Sequence, residues 1–161
     1  MLSGWLYVLT IVAALGSGLT AGALYAFSAF VMRALVRLPA FQGIAAMQVI
    51  NVEAPKPPFM AAFVGTAVLD AVLVVMAVVR WGEPYAPYVL LGAAVYLVGV
   101  IGLTAGYHVP RNNALAAVEP TDAVAADLWS AYARRWTAWN HVRVAAALAA
   151  SALFTIAVRV S

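Results

Sequence analysis

The chain has no cysteine and little charge. Without cysteine there is no disulfide framework, no thiolate nucleophile and no Cys-ligated metal or cluster. Asp, Glu, Lys and Arg make up 9% of its 161 residues, against about 25% in an ordinary soluble domain. So few charges cannot cover the large relative surface of a soluble fold this small. The net charge of +3 is spread along the chain, which excludes a nucleic-acid module and disorder. There is no Walker loop, no GxGxxG, no nucleophile elbow and no paired-carboxylate site. Internal repeats are also lacking.

What the sequence has is hydrophobic length. Apolar residues account for 66%, against roughly 45–50% in globular domains, and the mean hydropathy is +0.96. Residues 1–32 carry no charge, 57–79 only Asp70, 84–110 only the neutral His108, and 144–158 none. A hydrocarbon core of about 30 Å needs roughly 20 helical residues. The expected architecture is therefore all-α: one integral membrane domain over 1–161, a four-transmembrane-helix bundle with spans at about 5–31, 59–80, 86–106 and 138–158. Short interfacial helices are expected in the loops. The first apolar run lacks a basic n-region and a clear cleavage site, so it reads as a permanent span.

Two loops are long, 32–58 and 107–137. In the first, 39–50 reads as a short interfacial helix, and the prolines at 55, 57 and 58 restart the chain into the second span. In the second, Thr121 reads as the N-cap of a helix with Asp122 in its first turn. With four spans both loops lie on one side of the membrane. They hold seven of the nine Lys and Arg residues when Arg143 is counted. The positive-inside rule places them in the cytoplasm, and a bacterial inner or plasma membrane is the expected location.

The segment 129–143 is the richest in chemistry. At about 100° per residue, Trp129, Tyr132, Trp136, Trp139, Asn140 and Arg143 share one helix face, with His141 on its flank. An aromatic wall with Asn and Arg at its deep end suits a planar ligand bearing an oxygen. The competing reading is an interfacial aromatic belt with a snorkelling arginine. The only histidines, His108 and His141, lie at the loop-facing ends of adjacent spans. Either can serve as a general base, both can ligate a haem, or both can merely hydrogen-bond. A metal site of two His without a carboxylate pair is incomplete. Asp70, near the middle of the second span, is either functional or a neutral acid hydrogen-bonded to Tyr25, Tyr96 or a threonine. Ala14, Gly18, Gly22 and Ala26 form a small-residue stripe on the first helix, and Gly92, Gly99, Gly102 and Gly106 lie on the third. Packing within the bundle explains both stripes, with a homo-oligomer through these faces as the alternative. Tyr25 and Ser28 follow the first stripe and are expected to line a cavity beneath it.

Several phrases carry a family resemblance: Gly18 to Gly22, Met47-Gln48 with Asn51, Pro58-Phe59 with Gly65-Thr66, His108-Val109-Pro110 with Asn112 and Asn113, and Trp136, Trp139, Asn140, His141 and Arg143. In order and spacing they resemble the anthrone oxygenase-like family of small four-helix membrane proteins, much of which is a domain of unknown function. The resemblance runs from about residue 10 to 158. It implies an oxygenase that uses molecular oxygen on a planar lipophilic phenolic or anthrone-type substrate, without a classical redox cofactor. His141, His108 and Arg143 are then the catalytic candidates. Trp136, Trp139, Asn140, Asn112, Asn113, Gln48, Asn51 and Tyr25 are the substrate-binding candidates. In this scheme the Asn112, Asn113 and Asn140 amides join Arg143 in holding an oxyanion, while Trp136 and Trp139 clamp the ring. The expected partners are the bilayer and a small lipophilic aromatic ligand, and no nucleic acid. Two other readings stand beside it: a haem- or quinone-binding membrane subunit, and a non-catalytic helix-packing partner.

Overall fold

The computed structural model describes residues 4–122 and 124–161, and among these every regular element is helical. Helix α1 (Trp5–Ala26) passes through a widened π-helical turn (Phe27–Val31) into α2 (Met32–Arg37). Helix α3 (Ala40–Glu53) leads to α4 (Pro57–Val79). Helix α5 (Ala86–Tyr96) continues through two further widened stretches, Leu97–Gly102 and Thr104–His108, into α6 (Val109–Ala116), and α7 (Ala125–Arg159) ends the fold. Taken as continuous rods, Trp5–Arg37, Pro57–Val79, Ala86–Ala116 and Ala125–Arg159 are each long and apolar enough to cross a membrane. The four-helix, multi-pass architecture expected from the charge-free runs is the one observed.

Proline sets several of the boundaries. Leu38 and Lys56, each preceding a proline, are extended and interrupt the helix, because the proline ring disfavours the α region for the residue before it. Pro57 and Pro58 then open α4, where a missing N–H costs nothing. The interfacial helix expected at 39–50 is α3.

Three expectations need correction. The third rod does not end near 106: it runs on through Pro110 to Ala116. A proline inside a helix clashes with the carbonyl four residues back, and the widened turn Thr104–His108 lies over that carbonyl and relieves it. The fourth rod begins at Ala125, well before 138. Thr121 is not its N-cap. Its hydroxyl faces Glu119 Oε1 at 3.5 Å, Val124 occupies the cap position, and Asp127 is the acid of the first turn. The Ala125 N–H is already bonded to the Asp122 carbonyl, so a tight turn precedes the helix.

Two apolar clusters fill the bundle. One joins Leu24, Phe63, Leu73, Tyr96, Val100 and Phe154 in the spanning half. The other joins Met32, Ile44, Met47, Leu115, Trp129 and Trp136 at the loop end. Outward-facing Leu15, Leu19, Val75, Val98 and Leu148 are exposed, as a lipid-facing surface requires. The glycine stripes are taken up in part within the bundle. A Cβ added at Gly92 would meet the Phe154 ring, and one at Gly99 would come within 2.6 Å of the Ala146 Cβ. Neither Ala146 nor the helix backbone has a flexible end that can move aside. Gly99→Ala is therefore expected to destabilise by about 1–3 kcal/mol, read as a lowered thermal midpoint in detergent.

Asp70 is fully buried, and neither carboxyl oxygen makes a hydrogen bond among the described residues. The partners expected for it are engaged elsewhere. Tyr96 pairs with Thr20 at 3.1 Å and donates to the Phe63 carbonyl at 3.0 Å, while Tyr25 faces outward.

Candidate functional site

On three rods the polar residues fall in sequence between the two apolar clusters. Ser28 lies between Leu24 and Met32, Thr104 and His108 between Val100 and Leu115, and Asn140 and Arg143 between Trp136 and Val144. They form one polar layer at the loop end of the spanning region, buried except for the half-buried Thr104. Two of the widened helical stretches supply it: Ser28 lies within Phe27–Val31, and Thr104 and His108 bound Thr104–His108. Widened turns of this kind loosen the i→i−4 ladder and recur at functional sites.

Arg143 is the centre of this layer. It is 5% exposed. One terminal nitrogen donates to Thr104 Oγ1 at 3.0 Å, the other donates to Asn140 Oδ1 at 2.7 Å, and Nε has no partner among the described residues. Its guanidinium carbon lies 5.3 Å from the centre of the Trp136 ring. No described carboxylate pairs with it. Asn140 holds the arginine through its oxygen because its amide nitrogen is fully committed, donating to the Leu24 carbonyl at 2.7 Å and to Ser28 Oγ at 2.8 Å. An amide nitrogen has two N–H donors, so Asn140 has none left for a ligand. This corrects the expectation that its amide would hold an oxyanion.

His108 is 1% exposed, and neither ring nitrogen makes a well-formed hydrogen bond among the described residues. Its ring meets the Trp136 indole edge-on at 5.1 Å and the Tyr107 ring at 5.4 Å. Trp136 is itself held by a donated bond from its indole N–H to Asn112 Oδ1 at 3.1 Å, and the Tyr132 hydroxyl donates to the same oxygen at 2.9 Å. Phe27 also packs against Trp136, with ring centres 5.7 Å apart. Phe27 also borders an apolar groove of about 350 Å³ lined by Leu24, Ile50, Ala54 and Phe59, within the range of small-molecule sites. Phe27 thus touches both that groove and Trp136.

The structure brings His108, Asn112, Trp136, Asn140 and Arg143 together from the sequence candidates. Of the others only Asn51 comes close, its side chain lying beside the Tyr132 hydroxyl. Trp139 turns outward against Tyr107, with ring centres 5.0 Å apart, and does not face Trp136 across a ligand. His141 is exposed on a separate groove beside Met32, Arg33 and Thr137. The two histidines therefore lie on different faces of α7 and do not converge on one haem iron. Gln48 donates to the carbonyls of Leu115 and Val118 at 3.0 and 2.9 Å, closing the C-terminal end of α6. Asn51 is half-buried, and its amide nitrogen has no partner among the described residues. Asn113 and Tyr25 are exposed. Thr104 and Phe27 were missed from sequence. Thr104 precedes His108 by one helical turn, and that spacing on a polar face is the signal that would have found it.

A family model described as anthrone oxygenase matches residues 59–153, more than half of the chain. The matched stretch contains Thr104, His108, Asn112, Trp136, Asn140 and Arg143, and leaves out Ser28, Gln48 and Asn51. No curated protein and no solved structure matches the chain.

Proposed function

The chain belongs to the anthrone oxygenase family, and from that premise we propose that it oxidises the methylene carbon of a flat, lipophilic, phenolic anthrone-type substrate with molecular oxygen. The observation that carries this reading is Arg143, a buried cation paired with neutral groups and with no described carboxylate. An uncompensated buried charge is costly, and it is repaid where an anion forms beside it. Next to it stands the buried imidazole of His108, which faces the Trp139 backbone and lies within electrostatic reach of the guanidinium.

In the proposed reaction His108 accepts a proton from the methylene carbon. The electron pair left behind delocalises onto the ring-ketone oxygen, giving an enolate-type oxyanion that Arg143 stabilises. This electron-rich anion reduces oxygen, and a carbon–oxygen bond forms at the former methylene. Loss of the second C–H proton with cleavage of the O–O bond gives the carbonyl. One oxygen atom stays on carbon, and the other leaves as water with both hydrogens. Carbon gives up four electrons and the oxygen molecule accepts four. Asn140 and Thr104 aim the guanidinium, while Asn112 and Tyr132 hold the Trp136 ring against which the substrate lies. A bilayer-dissolved substrate approaches through the apolar groove, past Phe27.

Oxygen uptake by the purified protein in detergent, with anthrone as substrate, tests this. The expected result is one oxygen consumed per anthraquinone formed, at a rate well above the spontaneous oxidation. Uptake equal to the protein-free control refutes the proposal.

A further inference from the structure

On the opposite side of α7 from His108 lies an open groove of about 630 Å³ between α2 and the first half of α7. Its rim carries Arg33, Arg37 and Arg134, its floor is formed by Met32, Val36 and Ala133, and His141 stands at its far end. None of the lining residues is acidic, and none of the three arginines pairs with a described carboxylate. Among the described residues, the one hydrogen bond from this rim is Arg33 donating to the Ala29 carbonyl on its own rod.

The depth of the groove narrows the choice of ligand. Arg33 is the first charged residue after the uncharged stretch of the first rod, so the rim lies where the apolar span ends. Arg37 is one turn further out. On α7, His141 is seven residues beyond Arg134 toward the spanning half, about 10 Å along the axis. The groove thus changes along its length from a cluster of guanidinium groups to an apolar trough that faces the bilayer. Its polarity matches a molecule with an anionic head and a hydrocarbon tail. A soluble anion would satisfy the rim and leave the trough empty.

We propose that this groove is a binding site for an anionic phospholipid, its phosphate held between Arg33, Arg37 and Arg134 and an acyl chain lying along Met32, Ala133 and Ala138 toward His141. Guanidinium forks bind phosphate oxygens in a bidentate manner, and three of them line this groove with no acidic residue among its lining. The site is independent of the oxidation chemistry, because no residue of the His108–Arg143 layer lines it.

The test is thermal unfolding of the purified protein in neutral detergent with added phosphatidylglycerol, phosphatidylcholine or inorganic phosphate. Phosphatidylglycerol is expected to raise the midpoint by about 5 °C near saturation, with little change from phosphatidylcholine or inorganic phosphate. In the triple variant Arg33→Gln, Arg37→Gln, Arg134→Gln the phosphatidylglycerol shift should vanish. In the double variant Arg111→Gln, Arg135→Gln, on the neighbouring groove, it should persist. Equal shifts from the two lipids in the unmodified protein overturn the proposal, whatever the variants do. A full shift from inorganic phosphate alone overturns the lipid assignment, and a shift that survives the triple substitution places the lipid elsewhere.

Discussion

Arg143→Met is expected to lower kcat for anthrone oxidation by about 10²–10³-fold while leaving the folded protein as stable as before, or more so. The two halves of this expectation have one cause. In the resting protein the guanidinium is buried among Thr104, Asn140 and the Trp136 ring without a described anionic partner. Replacing it with an apolar side chain of similar length removes the cost of holding an unpaired charge away from water. Such replacements of buried ionic groups are often neutral or stabilising. Against that gain, Asn140 Oδ1 loses its donor, a penalty of about 1–3 kcal/mol. Its amide nitrogen keeps the Leu24 and Ser28 bonds, so the α1–α7 contact remains closed. The catalytic loss arises only when the substrate acquires negative charge, so kcat falls and KM changes little. Arg143→Lys keeps the charge but not the fork that engages Thr104 and Asn140 together, and should recover only part of the rate. Thermal unfolding and steady-state kinetics on the same preparations check both halves. A variant that melts much earlier and loses activity in proportion would make Arg143 a structural residue.

Much of the layer around Arg143 was legible in the sequence. The 3.6-residue period placed Trp136, Asn140 and Arg143 on one face, and all three are buried there. The same arithmetic was too generous at the edges of the face. Trp139 lies on the flank of Trp136, and in the structure it turns out to Tyr107. His108 and His141 looked equivalent because each lies at the loop-facing end of a span. What separates them is which neighbours cover them: Trp136 and Tyr107 enclose one, while the other borders an open groove. Periodicity along a single helix carries no information about that. The widened turns were also invisible, apart from Pro110, because they arise from how the backbone accommodates its neighbours. The Leu24 carbonyl that anchors Asn140 has no side-chain signature at all. Gln48, read as a ligand contact from the family resemblance, illustrates the converse. Gln48 ends α6 by capping its carbonyls, a need that only the folded helix reveals.

His108→Ala is expected to reduce kcat by about 10²–10⁴-fold, while His141→Ala retains near-normal turnover. The contrast follows from position. A base that removes a carbon-bound proton needs a ring nitrogen with its lone pair available and aimed at the substrate. Both His108 nitrogens lack a well-formed hydrogen bond, and the ring stands edge-on to Trp136. With the Trp139 backbone facing one side of the ring, the other nitrogen keeps its lone pair for the substrate. An exposed imidazole such as His141 has its nitrogens in contact with solvent or lipid headgroups, on a groove that shares no lining residue with the buried layer. With His108 removed, the proton must leave to hydroxide. The residual rate of His108→Ala should then rise in proportion to hydroxide concentration, and added imidazole should restore part of it. His108→Gln preserves polarity and approximate size and should not restore the rate, since an amide is no base at neutral pH. That comparison separates proton removal from packing against Trp136. Rates from anthraquinone absorbance across pH, with and without imidazole, decide the matter. Full activity in His108→Ala alongside its loss in His141→Ala would move the base to the open groove, and the oxidation chemistry would have to be rebuilt around Arg33 and Arg134.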